Sequence, residues 1–206
     1  MSGLAQRGPG GAASPAAGDA EVIAATRRWL EVAVIGLGLC PFAAAVHRHQ
    51  QIRYRVSDAR DARALRQDLS VELIRLATSD ASAIETTLLI HPRALVDWAA
   101  YNRFLGLADR TVARLGLRGV LQIASFHPAY RFAGSAADAI DNCTNRSPYP
   151  VLQLLREDSV ERALTVFGEP HAIYRRNIER LRALGHSGWN ALWAADSGAD
   201  GTVPAC

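Results

Sequence analysis

Most side chains able to do chemistry lie between Ser125 and Glu157, in the stretch SFHPAYRFAGSAADAIDNCTNRSPYPVLQLLRE. His127 follows an apolar run and precedes Pro128, which restricts the backbone beside it. Its imidazole is therefore held with little freedom, as a general acid or base requires. The alternative for the same position is a rim histidine bonded to a backbone carbonyl. Asn145, Arg146 and Ser147 open a segment with two prolines, Pro148 and Pro150. Ser147-Pro148 has the pattern of a helix N-cap with proline at the first position. A helix N-terminus beside Arg146 would hold a phosphate or carboxylate through free backbone donors and a guanidinium. Asn145 would orient such a substrate, with Tyr130 and Arg156 as further contacts. For Arg156, with Glu157, the plainer reading is a solvated pair or a bridge that holds the loop. Cys40 lies outside the stretch and either lines the same pocket or acts as a thiol. It falls at the end of a helical segment, the wrong end of the dipole for a thiolate, which favours a buried structural cysteine.

These residues need elements to position them. From Ala20, apolar residues recur at three and four (Val22, Ile23, Thr26, Trp29, Leu30, Ala33, Val34, Leu37), which predicts a helix. It should stop or kink near Cys40, where Gly36, Gly38 and Pro41 accumulate, with a short helix over Phe42 to Val46. Gln51 to Ser57 alternates as a half-exposed strand. Asp58 or Asp61 caps a helix with Leu65, Leu69, Leu73 and Leu76 as its stripe. Ile84 to Ile90 and Val120 to Phe126 read as two further strands, each stopped by His-Pro (His91-Pro92, His127-Pro128). Between them runs a helix from about Ala94 to Leu115, ended by Gly116.

Strands alternating with helices predict an α/β domain. Its sheet should be small and mainly parallel, a βαβαβ arrangement of three to four strands covered by helices, with Tyr130-Arg131-Phe132 as a possible antiparallel edge. Ligands in such sheets gather beyond the carboxyl ends of the strands, so His91 and His127 should share one rim. Past Pro148 the chain reads as helical. A capping box at Asp158 and Glu161 opens a short helix that Gly168 ends, and a last helix runs from Pro170 to Leu184. Residues 1–19 read as a disordered leader, 20–185 as one domain and 186–206 as a largely flexible tail.

Composition excludes more than it assigns. A net charge of +3, 49% hydrophobic and 21% charged residues are those of a globular protein. All 23 basic residues are arginine, yet no basic block is long enough to track a nucleic-acid backbone. Arg27-Arg28 before the apolar run from Trp29 imitates an export signal. Glu31 interrupts that run, and the uncharged remainder is shorter than the roughly 20 residues a membrane span needs. Cys40, Cys143 and Cys206 form no C-x-x-C pair and read as reduced thiols of a cytoplasmic protein. His91, His127, Asp138 and Asp141 lack zinc-type spacing, and no dinucleotide, Walker or serine-elbow motif occurs. Neither a metal nor a cofactor is assigned.

Three motifs together resemble one family. Leu39-Cys40-Pro41-Phe42-Ala43, then Ser125-Phe126-His127-Pro128 with Tyr130 and Phe132, then Asn145-Arg146-Ser147-Pro148-Tyr149-Pro150 with Leu154-Leu155-Arg156-Glu157 are similar to the bacterial and plant proteins grouped as domain-of-unknown-function family number 1415. The resemblance implies no activity, substrate or cofactor. It implies that Cys40, His127 and Asn145-Arg146 belong to one signature and share a pocket, and that relatives often carry histidine where this chain has Gln153. The expectation is a cytoplasmic enzyme acting on a small anionic molecule, with His127 and Cys40 catalytic. Asn145, Arg146, Ser147, Tyr130 and Arg156 would bind the substrate. The alternatives are a non-catalytic binding or docking module and a thiol- or metal-dependent redox protein.

Overall fold

The computed structural model describes residues 18–167, 170–194, 204 and 206. Helix α1 spans Asp19–Trp29 and runs on as a wider π-type turn over Leu30–Ile35. The break expected near Cys40 follows, at Gly36 and at Gly38, whose φ of 61° only glycine adopts easily. Then come α2 (Ala43–Arg48), β1 (Ile52–Val56), α3 (Ala62–Thr78), β2 (Thr86–Ile90), α4 (Trp98–Arg114) and β3 (Leu121–Phe126). A 3₁₀ turn at Ile140–Thr144 leads to β4 (Val151–Arg156), α5 (Glu157–Phe167) and α6 (Pro170–Ala194). The Asp61 carboxylate caps α3 through the Ala64 N–H at 2.8 Å, and Asp97 does the same for α4 through Ala100. Helix α4 starts later than the pattern suggests, because Ala94 is held in a tight turn on His91. Among the described residues no helix is long and apolar enough to cross a membrane.

The fold is α/β, and its four-stranded sheet, ordered β1-β2-β4-β3, is mixed where a mainly parallel one was expected. β1 and β2 are parallel; β4 runs antiparallel to both β2 and β3. The difference comes from one segment. Residues Val151–Arg156, expected to be helical behind a Ser147 cap, form the fourth strand. VLQLLR sits between two neighbours with both faces covered, so it carries apolar residues on both sides and loses the alternation that marks an exposed strand. Ser147 Oγ donates instead to the carbonyl of Tyr149 at 2.6 Å. Tyr130-Arg131-Phe132 is not a strand.

Each face of the sheet has its own core. On one, Leu89, Leu121, Leu152 and Leu154 pack against the leucine stripe of α3 and Tyr101, Phe104 and Ala108 of α4. On the other, Val56, Leu88, Ile90 and Val151 meet Val22 of α1. Trp29, Leu30 and Val34 continue that layer into a cluster with Leu181, Trp189 and Trp193 of α6. Residues 186–194, read as part of a flexible tail, extend α6 beyond a kink at Gly185 (φ 65°). Trp189 is fully buried and donates from Nε1 to the carbonyl of Pro204 at 3.0 Å. Bulky apolar groups there outweigh the helix-stopping glycine. Cys143 and Cys206, read as unrelated reduced thiols, are disulfide-bonded with their Cα atoms 6.0 Å apart. The expected leader up to residue 17, Gly168 and most of residues 195–205 lie outside the described residues.

Candidate functional site

β2 and β3 are both antiparallel to β4, so they point the same way and their His-Pro ends meet at one rim. Tyr101 of α4 stands between the two histidines. Its ring lies 5.7 Å from that of His91 and 4.9 Å from that of His127. Its hydroxyl donates to the Val151 carbonyl at 2.7 Å and accepts from the Phe126 N–H at 3.1 Å. His127 is 1% exposed. Its Nδ1 accepts the Ala129 N–H at 3.0 Å, which leaves the proton on Nε2, facing the Leu95 carbonyl at 3.2 Å. Both nitrogens therefore have backbone partners, and burial lowers the pKa of the ring. This is the geometry of the rim histidine given as the alternative to an acid–base role. His91 is 0% exposed; its Nδ1–H donates to Ala94 O at 2.9 Å, while Nε2 has no partner among the described residues. Burial lowers its pKa to about 4.

The other expected site residues divide between this rim and the opposite face of the sheet. Tyr130 packs tilted on Trp98 and edge-on to Phe132, with ring centres at 4.8 and 5.0 Å, and burial raises its phenol pKa. Arg146 donates to the carbonyls of Tyr130 and Ala137, holding the Tyr130 loop against the 3₁₀ turn. With β4 a strand, no helix N-terminus stands beside Arg146 or Ser147. Arg156 donates to the carbonyls of Leu76, Ser79 and Ile84 and so fastens the end of α3 to β4, neither paired with Glu157 nor bridging to the 125–150 loop. Asn145 reaches both regions. Its backbone carbonyl accepts the His127 N–H, and its side chain turns to the Ser125 carbonyl on β3.

Under the opposite face lies a cavity of about 600 Å³, a size typical of small-molecule sites. Its floor is one side of the sheet, where alternate residues point the same way: Ile52, Thr86 and Leu88, Gln153 and Leu155, Gln122 and Phe126. Trp29, Leu30 and Val34 form one wall. Val160 and Leu164 of α5, with Ile173, Tyr174 and Asn177 of α6, form the roof. Cys40, Asn145 and Arg156 line it; His127, Tyr130, Arg146 and Ser147 do not. Cys40 is half-buried just before α2, so it faces the start of a helix as well as following the end of another. Its thiol pKa is raised by burial, opposed by the N–H groups of Phe42 and Ala43. Among the described residues no three His, Cys, Asp or Glu side chains are grouped to hold a metal ion.

Polar lining residues that sequence reasoning did not select include Glu85, Thr86, Gln122, Thr144, Ser159, Tyr174 and Asn177, and Gln153 entered only through the resemblance. A signal for two of them existed. VLQIASF and VLQLLR share a glutamine in an otherwise apolar run, and once both are strands the two glutamines face the same cavity. Residues 21–191 match the family described as "Protein of unknown function (DUF1415)". No curated protein and no solved structure matches the chain.

Proposed function

Since the chain belongs to the DUF1415 family, whose description names no activity, we propose from its own residues that it binds a small, mainly apolar molecule in the cavity beneath the sheet. The observation that carries this reading is the cavity itself: about 600 Å³ between an ordered sheet face and two helices. α5 supports it. Val160 and Leu164 lie one turn apart on that helix and both line the cavity, and none of residues 157–166 is fully buried. An apolar helix face over a space of this size is satisfied by a ligand.

Binding is favoured over catalysis by the composition of the lining. Among the described residues it contains no histidine, and the strand-end histidines stand on the other side of the sheet with lowered pKa values. The anion reading loses its helix N-terminus, and the Arg146 guanidinium lies on carbonyls outside the cavity. A second reading, thiol chemistry at Cys40, has one observation in its favour: the Phe42 and Ala43 N–H groups stabilise a thiolate at a sulfur that lines the cavity. Burial acts more strongly in the other direction.

The test is titration with N-phenyl-1-naphthylamine, an uncharged dye that brightens in apolar surroundings, alongside Ala43→Phe, which places a ring into the cavity wall. The wild type should bind with a dissociation constant in the micromolar range. Ala43→Phe should weaken that at least tenfold while unfolding at the same temperature or higher. A wild type that leaves the dye dark, or a variant that binds it equally well, overturns the proposal.

A further inference from the structure

We infer that α5 is the gate of the cavity: it comes away from the sheet about the joint at Arg156–Glu157 to admit a ligand and closes over it. The inference rests on the binding reading above and adds how the site is entered. The two roof helices are held in different ways. Helix α6 is tied to its surroundings by apolar and polar contacts. Leu181 and Trp189 are fully buried in the cluster with Trp29 and Leu30. The Arg182 guanidinium holds the Asp141 carboxylate through two hydrogen bonds, at 3.0 and 2.6 Å. Asn177 and Arg180 donate to the carbonyls of Leu39 and Leu37.

Among the described residues α5 has no such ties. Val160 and Leu164 line the cavity, yet none of residues 157–166 belongs to or packs against any of the three buried clusters. The side-chain hydrogen bonds of residues 158–166 stay within the helix: Arg162 to Asp158 and Ser159, and Thr165 to the Arg162 carbonyl. The attachment lies at the first residue. Glu157 N–H donates to Val120 O at 3.0 Å, and beside it Arg156 is pinned to the carbonyls of Leu76, Ser79 and Ile84. The strand side of the joint is therefore rigid and the helix side can move, as a hinge requires. At 11 residues α5 is also shorter than the roughly 12–15 that hold a helix in water unaided. Away from the sheet it loses its turns, so opening and unravelling are one step. A ligand beneath Val160 and Leu164 adds apolar contact to that face and shuts the gate.

The experiment is hydrogen exchange of the full chain read by mass spectrometry, with and without N-phenyl-1-naphthylamine, beside stopped-flow binding of the same dye. Without dye, the amides of residues 161–166 should exchange roughly a hundredfold faster than those of 178–182 in α6. Saturating dye should slow the α5 amides at least tenfold. Ala163→Gly, at a position outside the cavity lining, shifts the helix toward its unravelled state about fivefold. It should raise the association and dissociation rates by about that factor and leave the dissociation constant nearly unchanged. A fixed wall would give the variant wild-type rates, and that result overturns the gate. So does an α5 whose exchange ignores bound dye. Exchange as slow in α5 as in α6 in the dye-free protein sinks the gate alone. A dye that never brightens removes the binding reading and the gate together.

Discussion

His91 should make the protein acid-sensitive from pH 6.5 downward, a window that opens above the range in which carboxylates titrate. In the folded chain its ring is 0% exposed with Nε2 unpartnered, and its pKa lies near 4 against an ordinary 6.5. As pH falls below 6.5 the unfolded chain takes up a proton that the folded one refuses until about pH 4. Stability contributed by the neutral ring is therefore complete above 6.5 and is lost on the way down. The shift corresponds to a loss of about 2 kcal/mol at pH 5 and about 3 kcal/mol at pH 4, with a slope near one proton between them. His127 is shifted the same way and adds to the wild-type slope. Asp80 and Asp158, whose pKa values are lowered, act at more acid pH. His91→Asn separates the contributions, because its amide can still donate to Ala94 O but cannot titrate. The assay is urea unfolding followed by tryptophan fluorescence at pH 7.0, 6.0, 5.5 and 5.0. The variant should be less stable at pH 7, where it loses the ring stacked on Tyr101, and its pH slope should be shallower by about one proton. Parallel slopes for the two proteins would refute the reasoning. The result also bears on function, since a general acid or base titrates near the working pH and a buried rim histidine does not.

Two further outcomes follow from side chains already placed. Tyr101→Phe keeps the ring but strands the Val151 carbonyl and the Phe126 N–H, both served by its hydroxyl. It should cost about 2–4 kcal/mol in urea unfolding, and a change below ~0.5 kcal/mol would show that water replaces the hydroxyl. Denatured but unreduced protein should titrate one thiol per chain, Cys40, and three after reduction, since Cys143 and Cys206 are joined. In the native state Cys40 should alkylate at least tenfold more slowly than free cysteine at pH 7.5, because burial holds it as the thiol.

Local signals on the α/β elements were legible where one face is wet. The leucine stripe of α3, the caps at Asp61 and Gly116 and the alternation of β1 all survive in the structure. So does the meeting of the two His-Pro ends, which needed only that both strands point the same way. The exception was β4, a central strand with no polar side. Its neighbour Ser147-Pro148 offered a helix-cap pattern strong enough to mislead, and the anion site built on that cap went with it. Six of the seven site residues, all but Cys40, were grouped by nearness in sequence, whereas a strand sends successive side chains to opposite faces. Thus Ser125-Phe126-His127 places Phe126 in the cavity and His127 at the other rim. Glu85 and Asn177 come from distant elements and carry no local signature that they meet.

The position of β4 also sets the order in which the molecule can be assembled. The strand made last occupies a gap between two made earlier, with Thr86 pairing to Leu155 and Phe126 to Val151. While the chain emerges during synthesis, β1–α3–β2 and α4–β3 can form as separate pieces, each with a bare inner edge of unpaired backbone groups. Neither edge is closed until Val151–Arg156 is free to insert, a late and non-local step of the kind that slows folding. Open edges with apolar side chains are templates for pairing with other chains. A nascent chain halted before β4 is thus a strand pair and a lone strand facing an empty lane, the state in which this protein is most open to pairing with other chains.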